Sequence, residues 1–203
     1  MFFVSSAFAN DHSDSSSQKF RVLFLGDSLT EGYGIDEDKT YVSLLEKKWE
    51  EQNRNIQVFN GSVSGSTTSS AMSRLRWFER ISPTHLVLAL GANDGLRGLS
   101  VENTQKNLEL AIEWAQEREI IVILAGMLMP PNYGRDYTAE FEQMFNSLAK
   151  KYSLHLIPFL LEGVAAQEEY NLSDGIHPNE KGHEMMKKNV EKYLNPLLGI
   201  DDK

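Results

Sequence analysis

Short runs of apolar residues alternate along the chain with longer segments in which apolar positions recur every three or four residues. The runs lie at residues 22–25, 85–90 and 120–125, and two less regular ones lie at 56–59 and 154–159. Runs of this length are typical of strands buried on both faces of a sheet. The helically spaced segments lie at residues 41–52, 69–81, 100–119, 139–152 and 179–194, and a short helix is expected at 160–170. This alternation predicts an α/β fold with a five-stranded, mostly parallel sheet that helices cover on both faces.

The length and the amino-terminal residues define the expected domain. With 203 residues and 41% hydrophobic content, the chain suits one domain with a core of ordinary size, which we place at residues 19–203. Residues 1–9 resemble the end of a signal peptide, with a small-x-small cleavage pattern at Ala7-Phe8-Ala9. The polar residues 10–18 predict a disordered tail. A periplasmic or secreted protein is therefore expected, with a cytoplasmic protein as the alternative.

Charge and composition argue against several classes of partner. A net charge of -9, from 29 acidic and 20 basic residues, disfavours nucleic acid and anionic membrane surfaces. The basic residues of the helix at 69–81, which are Arg74, Arg76 and Arg80, are expected to be solvated. The sequence contains no cysteine, which excludes thiol nucleophiles and thiolate metal sites. No stretch is long and apolar enough for a transmembrane anchor, and we expect a monomer.

Small or polar residues follow each of the first three predicted strands. Gly26-Asp27-Ser28-Leu29 comes after the first, a small-residue loop at 60–68 after the second, and Gly91-Ala92-Asn93-Asp94 after the third. Because parallel strands end at the same edge of a sheet, these segments are expected to meet in space. Ser28 stands where a nucleophile would act, with an ordinary turn toward a helix as the alternative. Asp27 is interpreted as a buried residue that orients the loop.

Five histidines are candidates for the base that a serine nucleophile needs. Only His177 lies in a loop with an acid close by, because Asp174 precedes it in Asp174-Gly175-Ile176-His177-Pro178. Asp174 is placed to hold the imidazole tautomer that leaves one ring nitrogen free toward Ser28. The segment alone fits an ordinary turn and helix start equally well. The other candidates are His12, His85, His155 and His183.

Three hydrogen-bond donors at strand ends are candidates for an oxyanion hole. They are the backbone amides of Ser28 and Gly65 and the side-chain amide of Asn93. Donors of this kind each contribute about 3 to 4 kcal/mol to acyl transfer. A nucleophile, a base, its orienting acid and these donors together favour hydrolysis of an ester or thioester carbonyl, which requires no metal and no organic cofactor.

Four sequence blocks, in this order, resemble those of the SGNH, or GDSL, hydrolase superfamily. They are GDSL at residues 26–29, Gly65, Gly91-Ala92-Asn93-Asp94 and Asp174-Gly175-Ile176-His177-Pro178. Within the superfamily, NDGLRG at 93–98 and NYGR at 132–135 are similar to the bacterial thioesterase I, lysophospholipase L1 and arylesterase group. The resemblance implies a flavodoxin-like three-layer α/β/α fold. It also implies Ser28 as nucleophile, Gly65 and Asn93 in the oxyanion hole, and Asp174 and His177 as the rest of the triad.

Apolar residues on two loops at the same edge of the sheet favour an acyl chain in the substrate. Leu96, Met129 and Tyr133 are predicted to contact it, and packing of the loops against each other is the alternative. Arg97 is a candidate to meet a phosphate or carboxylate of the substrate, with a structural salt bridge as the alternative.

The predicted function is hydrolysis of lysophospholipids, acyl thioesters and short-chain or aryl esters by a serine esterase. A carbohydrate acetylesterase would use the same residues in an open polar cleft. A metal-dependent phosphoesterase with Asp27, Asn93, Asp94 and His177 as ligands is a further alternative. A non-catalytic protein that binds a small ligand is the last alternative.

Overall fold

The computed structural model describes residues 19–200, which form one sheet of five parallel strands. The strands are β1 (Phe20–Gly26), β2 (Ile56–Asn60), β3 (His85–Ala89), β4 (Ile121–Ala125) and β5 (His155–Ile157). Their order across the sheet is β2-β1-β3-β4-β5. The predicted signal remnant and tail at 1–18 lie outside the described residues.

Strand β1 lies inside the sheet and inside the hydrophobic core. Val22 pairs with Val58 of β2 on one side and with His85 of β3 on the other. The four apolar residues 22–25 have no exposed surface, and complete burial of such a side chain contributes about 1.5 to 3 kcal/mol. A strand covered on both faces explains why the sequence shows an uninterrupted apolar run here.

Seven α-helices are present among the described residues, and the five longer ones form two layers. They are α1 (Ser28–Glu31), α2 (Tyr41–Glu51), α3 (Ala71–Phe78), α4 (Ala92–Leu96), α5 (Val101–Gln116), α6 (Arg135–Tyr152) and α7 (Glu180–Leu194). Helices α2 and α7 pack together on one face of the sheet, and α3, α5 and α6 pack in sequence on the other. The predicted α/β/α arrangement with a five-stranded parallel sheet is thereby confirmed.

Polar side chains cap α5 and α7 at the residues where the predicted helical segments begin. Ser100 accepts a hydrogen bond from the Asn103 amide at the start of α5, and Asn179 accepts one from the Gly182 amide at the start of α7. Caps of this kind stabilise a helix by roughly 1 kcal/mol each. Helix α6 begins at Arg135, earlier than the predicted residue 139, because Gly134 adopts a φ of 89° immediately before it.

The segment at 160–170 does not form the predicted short helix. It consists of turns followed by a 3₁₀ helix at Glu168–Tyr170. Gly163 has a φ of 73° and Ala166 a φ of 59°, and left-handed residues of this kind interrupt an α-helix. Strand β5 is also shorter than the predicted run at 154–159 and ends at Ile157.

The order of the strands creates a crevice at one edge of the sheet. From β1 the chain passes outward to β2, and it then returns past β1 to build β3, β4 and β5 in the opposite direction. The carboxyl ends of β1 and β3 lie at this reversal, where ligands bind in open α/β sheets. Within residues 19–200 no helix has the length and apolarity needed to cross a membrane.

Candidate active site

Ser28 occupies the first position of the short helix that follows β1. Asp27 caps this helix, and its carboxylate accepts a hydrogen bond from the Leu29 amide at 3.1 Å. The approach of α1 to the strand is close, because a Cβ added to Gly26 would lie 2.3 Å from the Thr30 hydroxyl oxygen. Glycine is therefore required at the end of β1, and Ser28 is presented at the crevice.

The structure brings Ser28, His177 and Asp174 into one hydrogen-bonded chain. The Nε2 atom of His177 lies 3.0 Å from Oγ of Ser28, and its Nδ1 atom lies 2.7 Å from Oδ2 of Asp174. An ionised Asp174 accepts hydrogen bonds only, so Nδ1 carries the proton that is shared with it. In the neutral imidazole Nε2 is then the acceptor of the Ser28 hydroxyl proton.

Asp174 is held in its ionised form by its own loop. Its Oδ1 atom accepts hydrogen bonds from the amides of Ile176 at 2.9 Å and His177 at 3.0 Å. The backbone and side-chain hydrogen bonds from His177, followed by that from Ile176, lower the pKa of Asp174 to about 2. Gly175 makes this tight turn possible with a φ of 69°.

The other described histidines lie elsewhere in the fold. His183 is buried under α2, where its Nδ1 atom accepts a hydrogen bond from the Tyr41 amide at 3.1 Å. His85 begins β3, at the opposite end of the sheet from the crevice. Burial lowers the pKa of each to about 4. His155 begins β5, so His177 is the described histidine that meets Ser28.

Gly65 lies in a tight turn of the loop that follows β2. The Ser66 amide donates to the Val63 carbonyl at 3.1 Å, which closes the turn, and Gly65 has a φ of 74°. Asn93, from the short helix after β3, donates its side-chain amide to the Ser66 carbonyl at 3.1 Å. The loops that carry the predicted oxyanion donors are therefore joined by a direct hydrogen bond. The backbone amides of Ser28 and Gly65 donate no hydrogen bond to another described residue.

A buried acid and a half-buried cation lie next to the turn that carries Ser28. Burial raises the pKa of Asp27 to about 6, while the Leu29 amide, the Asn93 side chain and nearby positive charges act in the opposite direction. Arg74 donates from Nη2 to the Gly26 carbonyl at 3.0 Å and also to the Gly61 carbonyl. The prediction that Arg74 is solvated is wrong, because its guanidinium supports the two loops from below.

A cavity of about 570 Å³ opens beside Ser28 and His177. Its wall is predominantly apolar and includes Leu29, Leu96, Met127, Leu128, Met129, Phe159, Leu161 and Ile176. The polar side chains of the wall are those of Ser28, Asn93, Asn171 and His177. An apolar chamber with a few convergent polar groups suits a ligand that has one reactive polar centre and an apolar chain.

The four predicted substrate contacts fall into two groups. Leu96 and Met129 line the cavity, whereas Arg97 and Tyr133 do not. Arg97 donates to the Gly65 carbonyl at 2.9 Å, and the Tyr133 hydroxyl donates to the Leu96 carbonyl at 2.8 Å. Arg97 and Tyr133 each donate a hydrogen bond to a backbone carbonyl and thereby stabilise the loop that carries it.

Two residues that the sequence left without a role also lie at the site. The Tyr33 ring lies 4.5 Å from the His177 ring between centroids, and 53% of Tyr33 is exposed. Glu31 accepts hydrogen bonds from Ser64, the residue before Gly65. Both follow Ser28 by a few residues, so their closeness in sequence to a candidate nucleophile is the signal that points to them.

The residues considered as metal ligands do not form a donor set. Asp94 is buried and accepts hydrogen bonds from the Thr68 amide at 2.9 Å and the Thr68 hydroxyl at 2.6 Å. Within the described part of the chain there is no group of three or more acidic or histidine side chains placed to hold a metal ion.

Comparisons with known proteins place the chain in a family. Residues 24–185 match the model of the GDSL-like Lipase/Acylhydrolase family. The chain is 34% identical to Esterase TesA of Pseudomonas aeruginosa over 178 residues. This match covers 87% of this chain and 89% of that protein. It is 33% identical over 183 residues to an arylesterase of Vibrio mimicus, and this match covers 90% of this chain and 92% of that protein.

Two further proteins extend the comparison. The Thioesterase 1/protease 1/lysophospholipase L1 of Escherichia coli is 32% identical over 181 residues, which cover 89% of this chain and 86% of that one. The crystal structure of the psychrotrophic esterase EstA from Pseudoalteromonas sp., inhibited by monoethylphosphonate, superposes with a TM-score of 0.84 at 32% identity and covers 88% of this chain and 98% of that one. The resemblance inferred from the sequence blocks is confirmed.

Proposed function

Because the chain belongs to the GDSL-like lipase/acylhydrolase family, we propose that it is a serine esterase that hydrolyses carboxylic esters and thioesters through an acyl-enzyme. The observation that carries this proposal is the chain of hydrogen bonds from Asp174 through His177 to Ser28 at the mouth of an apolar cavity. The named activities of the relatives, which are esterase, arylesterase, thioesterase and lysophospholipase, support the same chemistry.

Acylation begins with attack of Ser28 Oγ on the substrate carbonyl carbon. The hydroxyl proton passes to Nε2 of His177, which lies 3.0 Å away, and the imidazolium that forms is stabilised by Asp174. The negative charge on the carbonyl oxygen is accepted by the amides of Ser28 and Gly65 and by the Asn93 side chain. His177 then returns the proton to the leaving alcohol or thiol as the carbonyl re-forms.

Deacylation repeats these steps with water as the nucleophile. His177 takes a proton from the water that attacks the acyl-enzyme, and the same proton then returns to Ser28 Oγ as the carboxylic acid leaves. This cycle needs one nucleophile and one base and consumes one water molecule for each ester hydrolysed.

The cavity supports an acyl chain as the part of the substrate that enters the protein. A volume of about 570 Å³ with mainly apolar walls gives an alkyl chain roughly 0.8 kcal/mol for each methylene that it removes from water. Lysophospholipids, acyl thioesters and short-chain or aryl esters share this acyl part and differ in the leaving group. An open polar cleft would instead favour a carbohydrate acetylesterase.

We also propose an exported monomer. Export is supported by the apolar residues 1–9 and their small-x-small pattern, and a net charge of -9 supports the expectation that nucleic acid is not a partner. Expression of residues 1–203 in a Gram-negative host, followed by fractionation and intact mass measurement, tests export. Size-exclusion chromatography with light scattering tests the oligomeric state.

The experiment that tests the function compares Ser28→Ala with Ser73→Ala on esters, thioesters and a lysophospholipid. Ser73 is an exposed serine of α3 whose hydroxyl bonds only to the Ser70 carbonyl, so it is a matched control. We expect Ser28→Ala to lose at least about 10³-fold in kcat on every substrate, and Ser73→Ala to retain activity. A rate that rises with acyl chain length supports an esterase for acyl chains, whereas a preference for acetylated sugars supports the carbohydrate esterase.

A further inference from the structure

A single acidic side chain ties the turn of Gly65 to the helix of the proposed nucleophile. Glu31, the last residue of α1, accepts hydrogen bonds from the Ser64 amide at 2.8 Å and from the Ser64 hydroxyl. Ser28 begins the same helix. The carboxylate of Glu31 therefore links the position of the nucleophile to the position of the turn.

The geometry of this turn explains why such a link matters. Gly65, at the third position of the turn from Val63 to Ser66, has a positive φ of 74°, and Ser64, at the second position, does not have a positive φ. This combination belongs to a type II turn. Type I and type II turns differ by rotation of the central peptide, which here joins Ser64 to Gly65. Rotation of that peptide would reverse the direction of the Gly65 N–H.

Side chains hold the peptides on both sides of the central one. Glu31 accepts a hydrogen bond from the Ser64 N–H, which belongs to the peptide before the central one. Arg97 donates to the Gly65 carbonyl at 2.9 Å, and Asn93 donates to the Ser66 carbonyl at 3.1 Å. None of these contacts uses the Gly65 N–H itself. The contacts restrain the peptides next to the donor and leave the Gly65 N–H without a partner among the described residues.

We propose that Glu31 is a positioning residue for the oxyanion hole, which holds Ser64 so that the Gly65 N–H points at the carbonyl oxygen of a substrate attacked by Ser28. This inference rests on the proposed function, because it assigns Glu31 to the same reaction. Oxyanion donors act through being oriented before charge develops. Loss of the contact between Glu31 and Ser64 is therefore expected to weaken binding of the transition state more than binding of the substrate.

The test compares Glu31→Ala with Glu113→Ala. Glu113 is a matched control because it is an exposed glutamate whose carboxylate accepts a hydrogen bond from the Tyr152 hydroxyl at 2.6 Å, near the carboxyl end of α5. For Glu31→Ala we expect kcat on a p-nitrophenyl butyrate ester to fall about tenfold with KM within twofold. For Glu113→Ala we expect both constants and the melting temperature to match the wild type.

A transition-state analogue separates positioning from general structure. A trifluoromethyl ketone with a butyl chain adds to the serine hydroxyl and forms an anionic hemiketal, so its affinity depends on the same donors. The inhibition constant is expected to rise by the same factor as kcat falls in Glu31→Ala. Glu31→Gln keeps an oxygen acceptor for the Ser64 amide and is expected to recover most of the loss. If Glu31→Ala does not fold, Ser64→Ala removes only the hydroxyl contact and is expected to show a smaller loss of the same kind.

The outcomes distinguish the inference from the function on which it rests. An unchanged inhibition constant in Glu31→Ala, or an equal loss of activity in Glu113→Ala, overturns the role of Glu31 while Ser28→Ala remains inactive. Full turnover by Ser28→Ala overturns the proposed function itself. A parallel loss of kcat and inhibitor affinity that Glu31→Gln repairs supports the inference.

Discussion

Oγ of Ser28 and Nε2 of His177 lie 3.0 Å apart although 149 residues separate them in the chain. Ser28 follows β1, and His177 lies in the loop that precedes α7. The hydrogen-bonded turn between Leu172 and His177, with a bond of 2.7 Å from the Leu172 amide to the His177 carbonyl, presents the imidazole to the serine. If Ser28 reacts as proposed, its rate depends on the orientation and the tautomer of His177, so changes at Asp174 and at His177 are expected to lower kcat to different extents.

Asp174→Asn is expected to be more damaging than Asp174→Ala. The amide oxygen of the new residue would accept the hydrogen bonds from Ile176 and His177 that Oδ1 accepts now. Its NH₂ group would then face Nδ1 of His177 and favour the tautomer with a proton on Nε2, which cannot accept from Ser28. We expect kcat to fall at least about 10²-fold in Asp174→Asn, with a smaller fall in Asp174→Ala, measured on a chromogenic ester.

His177→Ala provides the reference for that comparison, because it removes the proposed base entirely. Asp174→Ala is expected to keep more activity than His177→Ala, since an orienting residue is partly replaceable. Equal rates for Asp174→Asn and the wild type would contradict the role of the carboxylate in fixing the tautomer.

Asp27→Asn is expected to change how stability depends on pH. The folded-state pKa of Asp27 is about 6, above its ordinary value of 3.8, so the native state binds more protons than the unfolded state between these pH values. Stability from this group is therefore highest at low pH and falls as pH rises through about 4 to 6. The raised pKa of Asp27 corresponds to a change of about 3 kcal/mol at most in the free energy of unfolding.

Urea unfolding of Asp27→Asn and the wild type at pH 4 and pH 7.5 measures this effect. The free energy of unfolding of the variant, relative to the wild type, is expected to be higher at pH 7.5 than at pH 4. A difference that does not change with pH would contradict a raised pKa at this buried carboxyl group.

Arg74→Ala is expected to destabilise the protein, whereas Arg76→Ala is not. Arg74 donates to the Gly26 and Gly61 carbonyls, while Arg76 is an exposed arginine of the same helix. Loss of charged hydrogen bonds to two carbonyls costs about 2 to 3 kcal/mol, and both carbonyls belong to loops of the site. Urea unfolding at pH 7 measures the two variants, and equal stabilities would refute the structural role of Arg74.

Met129→Ala is expected to change acyl selectivity, whereas Tyr133→Phe is not. Met129 lines the cavity, and Tyr133, on the same loop, bonds to the Leu96 carbonyl outside it. Loss of contact with one or two methylenes lowers kcat/KM on an octanoyl ester about tenfold relative to an acetyl ester. The ratio of the two rates is the measurement, because it is independent of the amount of folded protein. An unchanged ratio in Met129→Ala would exclude Met129 from the acyl site.

The periodicity of the sequence was sufficient to predict the layers of the fold. Apolar runs indicate β1, β3 and β4, because the central strands of a parallel sheet covered on both faces bury most of their side chains. The edge strands β2 and β5 give a weaker signal, since they carry the exposed residues Gln57 and His155. The segment at 160–170 was assigned wrongly because the spacing of its apolar residues is helical, whereas the left-handed angles at Gly163 and Ala166 leave no such signal. Ala166 in particular is a residue that normally favours a helix.

The candidate site was predicted only in part, for a similar reason. Ser28, Gly65, Asn93, Asp174 and His177 follow strands or lie in loops whose short motifs can be read one at a time. Arg74 and Glu31 act through backbone groups of a different loop, and a sequence does not show which carbonyl or amide a long side chain will reach. The same limit applies to Arg97, a candidate for a substrate contact or a structural salt bridge, which donates to the Gly65 carbonyl instead.

Covalent labelling of Ser28 tests the central claim most directly. The wild type and Ser28→Ala are each treated with a p-nitrophenyl alkylphosphonate, and the adduct is located by intact mass measurement and peptide mapping. The proposed mechanism predicts one phosphonyl group on Ser28 of the wild type, complete loss of esterase activity on labelling, and no adduct on Ser28→Ala. An adduct on another serine, such as Ser62 or Ser66, or an active enzyme that remains unlabelled, would contradict it.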